Sequence, residues 1–232
     1  MSITNKKAND EMILVIGGNG KTGRRVAERL TRAGRRIRIG SRRAEVPFDW
    51  ENPATWKQAL DGATAAYVTF QPDLAVPGAL ETIQRFYSQA IESGARKLVL
   101  LSGRGEEEAQ QAEKALQATD TDWTILRASW FCQNFSESFF HEPITAGELA
   151  LPVDSVVEPF IDAEDIAEVA VAALTEPEHS RKLYELTGPK ALTFAEATDE
   201  IAKATGRSIT FTPVSLAAYR AALERRRTTP VL

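Results

Sequence analysis

At 232 residues, 43% hydrophobic and 26% charged, with a formal net charge of −4, the chain has the make-up of an ordinary globule large enough for one main domain and a small second lobe. Disorder, collagen and disulfide scaffolds are excluded, and the longest apolar runs (12–16 and 98–101) fall far short of a membrane-spanning helix. One cysteine and two histidines exclude an internal disulfide and argue against a structural zinc site or any metal chemistry.

Residues 1–10 carry no apolar signal region and read as a polar, mobile tail, which makes a cytoplasmic location the expectation. The spacing then predicts a strand over 12–17, a glycine-rich turn and a helix over 22–33 that stops at Gly34. A second strand follows over 36–41, a short third over 46–48 and a short helix over 53–60. Strands over 65–70, 97–102 and 123–127 alternate with helices over 77–93 and 106–118. Residues 130–140 read as a helix with a large aromatic face. This alternation requires parallel strands covered by helices on both faces, an α/β fold. It loosens after His141, at Pro143, Gly147 and Pro152, and a smaller lobe is expected from there. That tail holds an amphipathic helix over 161–174, strands over 183–186 and 209–212, a helix over 194–205 ended by Gly206, and a last helix from Leu216.

The strongest chemical signal is Gly17-Gly18-Asn19-Gly20-Lys21-Thr22-Gly23, a G-x-x-G-x-x-G turn between a strand and a helix. Gly17 permits the tight turn, Gly20 lets the backbone approach a pyrophosphate, and Gly23 lets the helix pack close to the sheet. The helix N-terminus then favours the anion. The spacing is not that of a P-loop. A carboxylate at the end of the second strand would select NAD, but here stand Ser41, Arg42 and Arg43, which favour a 2′-phosphate and hence NADP. Asp49 is a candidate acceptor for the adenine amino group, with Trp50 nearby. Between Lys21 and Arg43 ten basic residues stand against Glu28 alone, a solvated helix face or a field for a polyanion. Glu106, Glu107 and Glu108 read as a favourable acidic first helical turn with no catalytic role.

With these motifs in place, the stretches 48–50, 98–102, 123–127, 130–135, 159–167 and 184–189 resemble the NmrA-like family of atypical short-chain dehydrogenase/reductases, most of all the ergot-alkaloid-biosynthesis reductase type and its bacterial relatives. The resemblance implies a Rossmann-type doubly wound parallel sheet with a small C-terminal α/β substrate lobe. It divides the chain into a tail at 1–10, an NAD(P)-binding domain over 11–142 and a substrate lobe over 143–232, interleaved with the sheet. It implies that Gly17, Gly20 and Gly23 meet the pyrophosphate and Arg42 the 2′-phosphate. Phe70, Gln71 and Pro72 would follow the fourth strand beside the adenosine ribose, with Ser102 and Gly103 ending the next, and Ser129, Trp130 and Phe131 would approach the nicotinamide.

Two departures bear on mechanism. None of Tyr67, Tyr87, Tyr184 and Tyr219 has a lysine four residues on, so the Tyr-x-x-x-Lys proton relay of ordinary short-chain dehydrogenases is absent. Residues 104–113 also lack the lysine used by the isoflavone-reductase-like branch. Many relatives run on beyond position 232, so the site is expected to be open or completed by a partner. A hydride acceptor that needs no strong acid is therefore expected: a quinone, an iminium or imine, or an enone on a small aromatic or heteroaromatic molecule of secondary metabolism. Ser102, Trp130 and Asn134 are the catalytic candidates, with Gln71 and His141 as further polar groups. The alternative is a non-catalytic NADP redox sensor acting through a protein partner. Nucleic-acid binding is disfavoured by the negative net charge and missing motifs, and a homodimer is compatible with the sequence.

Overall fold

The computed structural model describes residues 11–228, with side chains through 225, so the expected tail at 1–10 lies outside the described residues. In chain order the elements are β1 (Met12–Ile16), α1 (Lys21–Arg32), β2 (Arg36–Gly40), α2 (Trp56–Leu60), β3 (Ala63–Val68), α3 (Ala79–Glu92), β4 (Lys97–Gly103), α4 (Glu107–Gln117) and β5 (Asp122–Ala128). They continue with α5 (His141–Ala146), β6 (Glu148–Leu151), β7 (Val157–Glu158), α6 (Ala163–Thr175), β8 (Lys182–Leu186), β9 (Leu192–Thr193), α7 (Phe194–Thr205), β10 (Thr210–Pro213) and α8 (Leu216–Thr228). Among the described residues no helix is long and apolar enough to cross a membrane.

The chain forms two compact units, one reaching to Ser129 and resuming over Asp162–Leu186, the other taking Trp130–Ile161 and the residues from Thr187 on. The first unit is a six-stranded parallel sheet in the order β2-β1-β3-β4-β5-β8. Successive side chains of a strand point to opposite faces, so the unbroken apolar run of β1 feeds two cores. Leu14 and Ile16 join Trp56, Ile83 and Phe86 on the face of α2, α3 and α4, whereas Ile13 and Val15 join Val26, Leu30 and Ala170 on the face of α1 and α6.

The α6 helix is tied to α1 by charge as well as packing. Asp162 caps it by accepting from the Glu164 backbone N–H at 2.7 Å, and Glu164 itself receives Arg25 Nε and Arg29 Nη1, each at 2.6 Å. The guanidinium of Arg29, then that of Arg25, holds the Glu164 carboxyl below its usual range. A lowered folded-state pKa adds stability above the unfolded value of about 4.3 and loses it as pH falls through the folded value. Glu164→Gln is expected to lower stability at pH 7 by about 0.5–1 kcal/mol, as for a half-exposed ion pair, with the deficit closing only at strongly acid pH, below the lowered folded value. Urea midpoints of both proteins at pH 7 and at strongly acid pH check this.

The second unit pairs β6 with β10 in parallel and β7 with β9 antiparallel over a core of Phe135, Phe140, Leu149, Leu151, Phe160 and Phe194. Its α7 begins in a reciprocal capping box between Thr193 and Glu196.

Three expectations differ from the structure. Residues 46–48 form no strand but a single bridge from Ser41 to Pro47, because Pro47 has no N–H to extend a ladder. Residues 130–140 are not a helix: Phe131 is extended, and Cys132 N and Ile161 N bond to Ile161 O and Trp130 O at 2.8 and 2.9 Å, leaving a 3-10 turn at Cys132–Asn134. The helix starts later, at His141, with Pro143 in its first turn, where the missing N–H costs nothing. Finally, the second unit starts at Trp130 rather than 143, and α6 and β8 belong to the first, because β8 pairs with β5 and α6 covers the sheet.

Candidate functional site

The chain steps from β1 to β2 on one side and then crosses to β3 on the other, so the strand order reverses at the carboxyl end of β1. Open α/β sheets bind ligands in the crevice at such a switch point. The register sets Ile16 beside Gly40 and Val15 beside Tyr67, so the segments after β1, β2 and β3 all emerge there.

The glycine turn closes at that switch point through close packing of its own backbone. Gly17 has φ +69°, a conformation side chains rarely adopt, and a Cβ there would strike the Thr69 hydroxyl. Gly17 N donates to Gly40 O at 2.8 Å and Gly20 N to Gly17 O at 2.7 Å, closing the turn. A Cβ on Gly23 would overlap the Gly17 carbonyl, its carbon 2.6 Å away, and come within 3.0 Å of Gly18 Cα. Gly20 is the N-cap of α1, offers no side-chain cap, and no acid stands in the first turn. This helix end is therefore open in chemistry to an anion rather than closed by its own sequence.

A cleft of about 1040 Å³ runs from this turn along the strand ends, a size suited to a large cofactor. Gly17, Asn19 and Gly20 line it from the turn, Ser41, Arg42 and Arg43 from the end of β2, and Asp49, Trp50 and Gln71 from the loops after β2 and β3. Of the basic run, Arg38 is turned elsewhere, its Nη1 donating to Ala59 O and Asp61 O at 2.8 and 2.6 Å at the end of α2. Arg25 and Arg29 hold Glu164, and Arg32 pairs with Glu28 at 3.6 Å. Arg42 and Arg43 are the cations of this run that line the cleft.

Trp50 forms the floor. Its Nε1 donates to Thr69 O at 3.1 Å, and its ring packs against Phe48, Trp56, Phe70 and Phe86. The loop before it is braced by Asp49, whose carbonyl accepts from Trp56 Nε1 at 2.7 Å and whose Oδ1 accepts from Glu51 N at 3.1 Å. Thr69, Pro72 and Glu51 also line the cleft, and sequence reasoning gave Thr69 and Glu51 no role. Thr69 was signalled only by standing where β3 ends level with Gly17.

The remaining expected residues fall outside the cleft lining. Gly18 and Thr22 are buried beneath it, Lys21 opens α1, and Phe70 lies against Trp50. Ser102 is turned inward and is not an open donor: its Oγ gives its proton to Glu113 Oε1 at 2.6 Å, both residues being buried. Cross-strand register explains this, because Ser102, Arg127 and Glu185 sit side by side on β4, β5 and β8. Arg127 donates to Glu113 through Nε at 3.0 Å and to Glu185 through Nη1 at 3.0 Å, which neutralises the buried carboxylate. Gly103 lies under the Glu106 side chain, whose carboxyl is pushed up by burial and then by Asp73 and Glu108. Ser129 is buried, its Oγ without a hydrogen-bond partner among the described residues. Trp130, Phe131, Asn134 and His141 all belong to the second unit, where Trp130 stacks on Phe140 at 5.8 Å and meets Phe194 edge-on.

Two of the four tyrosines are sealed in the core. Tyr67 and Tyr87 are fully buried, and burial pushes both phenols well above their ordinary range, so neither is an accessible acid. Tyr184 bonds His179 Nδ1 at 2.8 Å.

Comparison with known proteins shows the family of the chain. The NAD(P)H-binding family matches residues 17–177. The oxidoreductase YesF of Bacillus subtilis (strain 168) is 34% identical over 214 residues, covering 88% of this chain and 74% of that protein. Agroclavine dehydrogenase of Claviceps fusiformis is 31% identical over 247 residues, with 92% and 80% covered. Among solved structures, the Citrobacter sp. triphenylmethane reductase complexed with NADP(H) superposes with a TM-score of 0.78 at 17% identity, over 95% of this chain and 84% of that one.

Proposed function

Since the chain belongs to the NAD(P)H-binding family, in the NmrA-like branch of the atypical short-chain dehydrogenase/reductases, we propose that this oxidoreductase prefers NADPH and reduces a small aromatic or heteroaromatic electrophile. The observation that carries the cofactor preference is Ser41-Arg42-Arg43 lining the same cleft as the glycine turn, with no carboxylate at those positions. A 2′-phosphate finds a hydroxyl and two guanidiniums there, where NAD enzymes place an acid for the 2′-hydroxyl.

Bound NADPH supplies a hydride from its nicotinamide. The chain's own part is to seat the pyrophosphate on the Gly17–Gly23 turn and the open end of α1, to grip the 2′-phosphate with Arg42, and to offer Asp49 to the adenine amino group. Trp50 underlies the adenosine end as a rigid floor. With the Tyr67 and Tyr87 phenols sealed in the core and Ser102 bonded to Glu113, the chain offers no strong acid from these groups. That supports a quinone, an iminium or imine, or an enone, acceptors that take hydride without prior protonation by the enzyme. Relatives named as agroclavine dehydrogenase and triphenylmethane reductase favour catalysis over a purely sensing role.

The test is a parallel titration with NADPH, NADP, NADH and NAD followed by tryptophan quenching, then a panel of quinones, iminium ions and enones followed by loss of reduced-nicotinamide absorbance. NADPH is expected to bind at least tenfold more tightly than NADH, and at least one acceptor class to be reduced. Equal binding of the two reduced cofactors overturns the preference, and tight binding with no turnover across the panel overturns the substrate class.

A further inference from the structure

Asn19, at the tip of the glycine turn, donates through Nδ2 to Ser41 Oγ at 2.9 Å, which joins the segment after β1 to the segment after β2. Both residues line the cleft. The Ser41 backbone is already fixed, because its carbonyl accepts from Phe48 N at 3.0 Å and from Ala44 N at 3.2 Å. What remains free in Ser41 is the rotation of its hydroxyl, and the Asn19 amide sets it. An oxygen that accepts from an amide keeps its own proton to donate elsewhere.

We infer that Asn19 is a specificity-determining positioning residue, whose hydrogen bond holds Ser41 as a proton donor for the ribose 2′-phosphate beside Arg42. The inference rests on the NADPH preference proposed above. A phosphate dianion only accepts hydrogen bonds, so a hydroxyl set in advance as a donor adds to its binding and a hydroxyl turned the other way repels it. A 2′-hydroxyl can both give and take, so NADH gains little from the setting. Aspartate at the same position would take the Ser41 proton for itself and add a like charge beside the phosphate.

The experiment measures NADPH and NADH affinities of wild type, Asn19→Ala, Asn19→Asp, Ser41→Ala and the Asn19→Ala/Ser41→Ala double variant. Asn19→Ala is expected to weaken NADPH about 3- to 10-fold, the worth of one ordinary hydrogen bond, and to leave NADH within about twofold. Asn19→Asp is expected to weaken NADPH further, with the extra loss shrinking at high salt. The double variant should bind NADPH no more weakly than Ser41→Ala alone, since the two residues act through one bond. Circular dichroism and the thermal midpoint of each variant check separately that it is folded. Equal losses for NADPH and NADH would mean that Asn19 merely braces the turn, and additive losses in the double variant would separate it from Ser41; either result overturns the inference. If wild type favours NADPH and the Asn19 variants keep that preference, the inference alone falls. If wild type binds both cofactors equally, it falls together with the reading it rests on.

Discussion

Gly23→Ala is expected to lower NADPH affinity by at least about 100-fold and to destabilise the fold. The added methyl would overlap the Gly17 carbonyl and crowd Gly18 Cα at 3.0 Å, and these are backbone atoms that no rotamer change can move aside. Relief requires α1 to shift away from the turn. Overpacking of this kind costs about 1–3 kcal/mol, and in a chain of this length each kcal/mol lowers Tm by about 2–4 °C. The shift also breaks the array of N–H donors facing the pyrophosphate, and losing two charge-assisted hydrogen bonds of about 1.5–3 kcal/mol each accounts for the affinity. Gly34→Ala separates the two effects. Gly34 also has φ +69°, but nothing lies within 4 Å of its added methyl, so that variant should lose about 1 kcal/mol of stability with NADPH binding intact. Calorimetry and fluorescence titration on both variants check the pair, and an alanine at 23 that binds NADPH like wild type would refute the packing argument.

Arg42→Ala should weaken NADPH by about 10- to 100-fold and leave NADH nearly unchanged. Arg42 is exposed and lines the cleft, and the acids that occupy Arg25, Arg29 and Arg32 leave it out. A guanidinium on a phosphate contributes about 1.5–3 kcal/mol, which is the stated range. Because the site is open to solvent, wild-type NADPH affinity should fall as salt rises, and the Arg42→Ala variant should show a shallower salt dependence. Arg42→Lys should recover only part of the loss, since an ammonium cannot engage two phosphate oxygens in a planar fork. Equal losses for NADPH and NADH would show that Arg42 acts on the loop rather than on the phosphate.

Legibility in the sequence follows the range of the contacts. The strand, turn and α1 were readable because each rests on neighbours a few residues apart: an apolar run, glycines at fixed spacing, a helical stripe of Val26, Ala27 and Leu30. Ser41, Arg42 and Arg43 were readable for the same reason, as the end of a strand whose start was plain. Ser102 was not, because its turn inward depends on Glu113 eleven residues on and on Arg127 and Glu185 in adjoining strands. Nor was the aromatic segment after Trp130, where Phe131 is held extended by pairing with Ile161, thirty residues downstream, and the chain then enters a 3-10 turn rather than a helix. The Arg38 clasp on the end of α2 is likewise invisible to local patterns, so a run of ten cations suggested a broader field than the fold leaves available.

The path by which the chain returns to its sheet bears on its synthesis. Strand β8 pairs with β5, yet the second unit's first portion, Trp130–Ile161, is made between them. A nascent chain that has emerged only as far as residue 161 therefore presents β5 as a bare edge of unpaired N–H and C=O groups, and the α1 face of the sheet still lacks α6. That edge is covered only once the next 25 residues or so, Asp162–Leu186, have emerged and β8 has paired with β5.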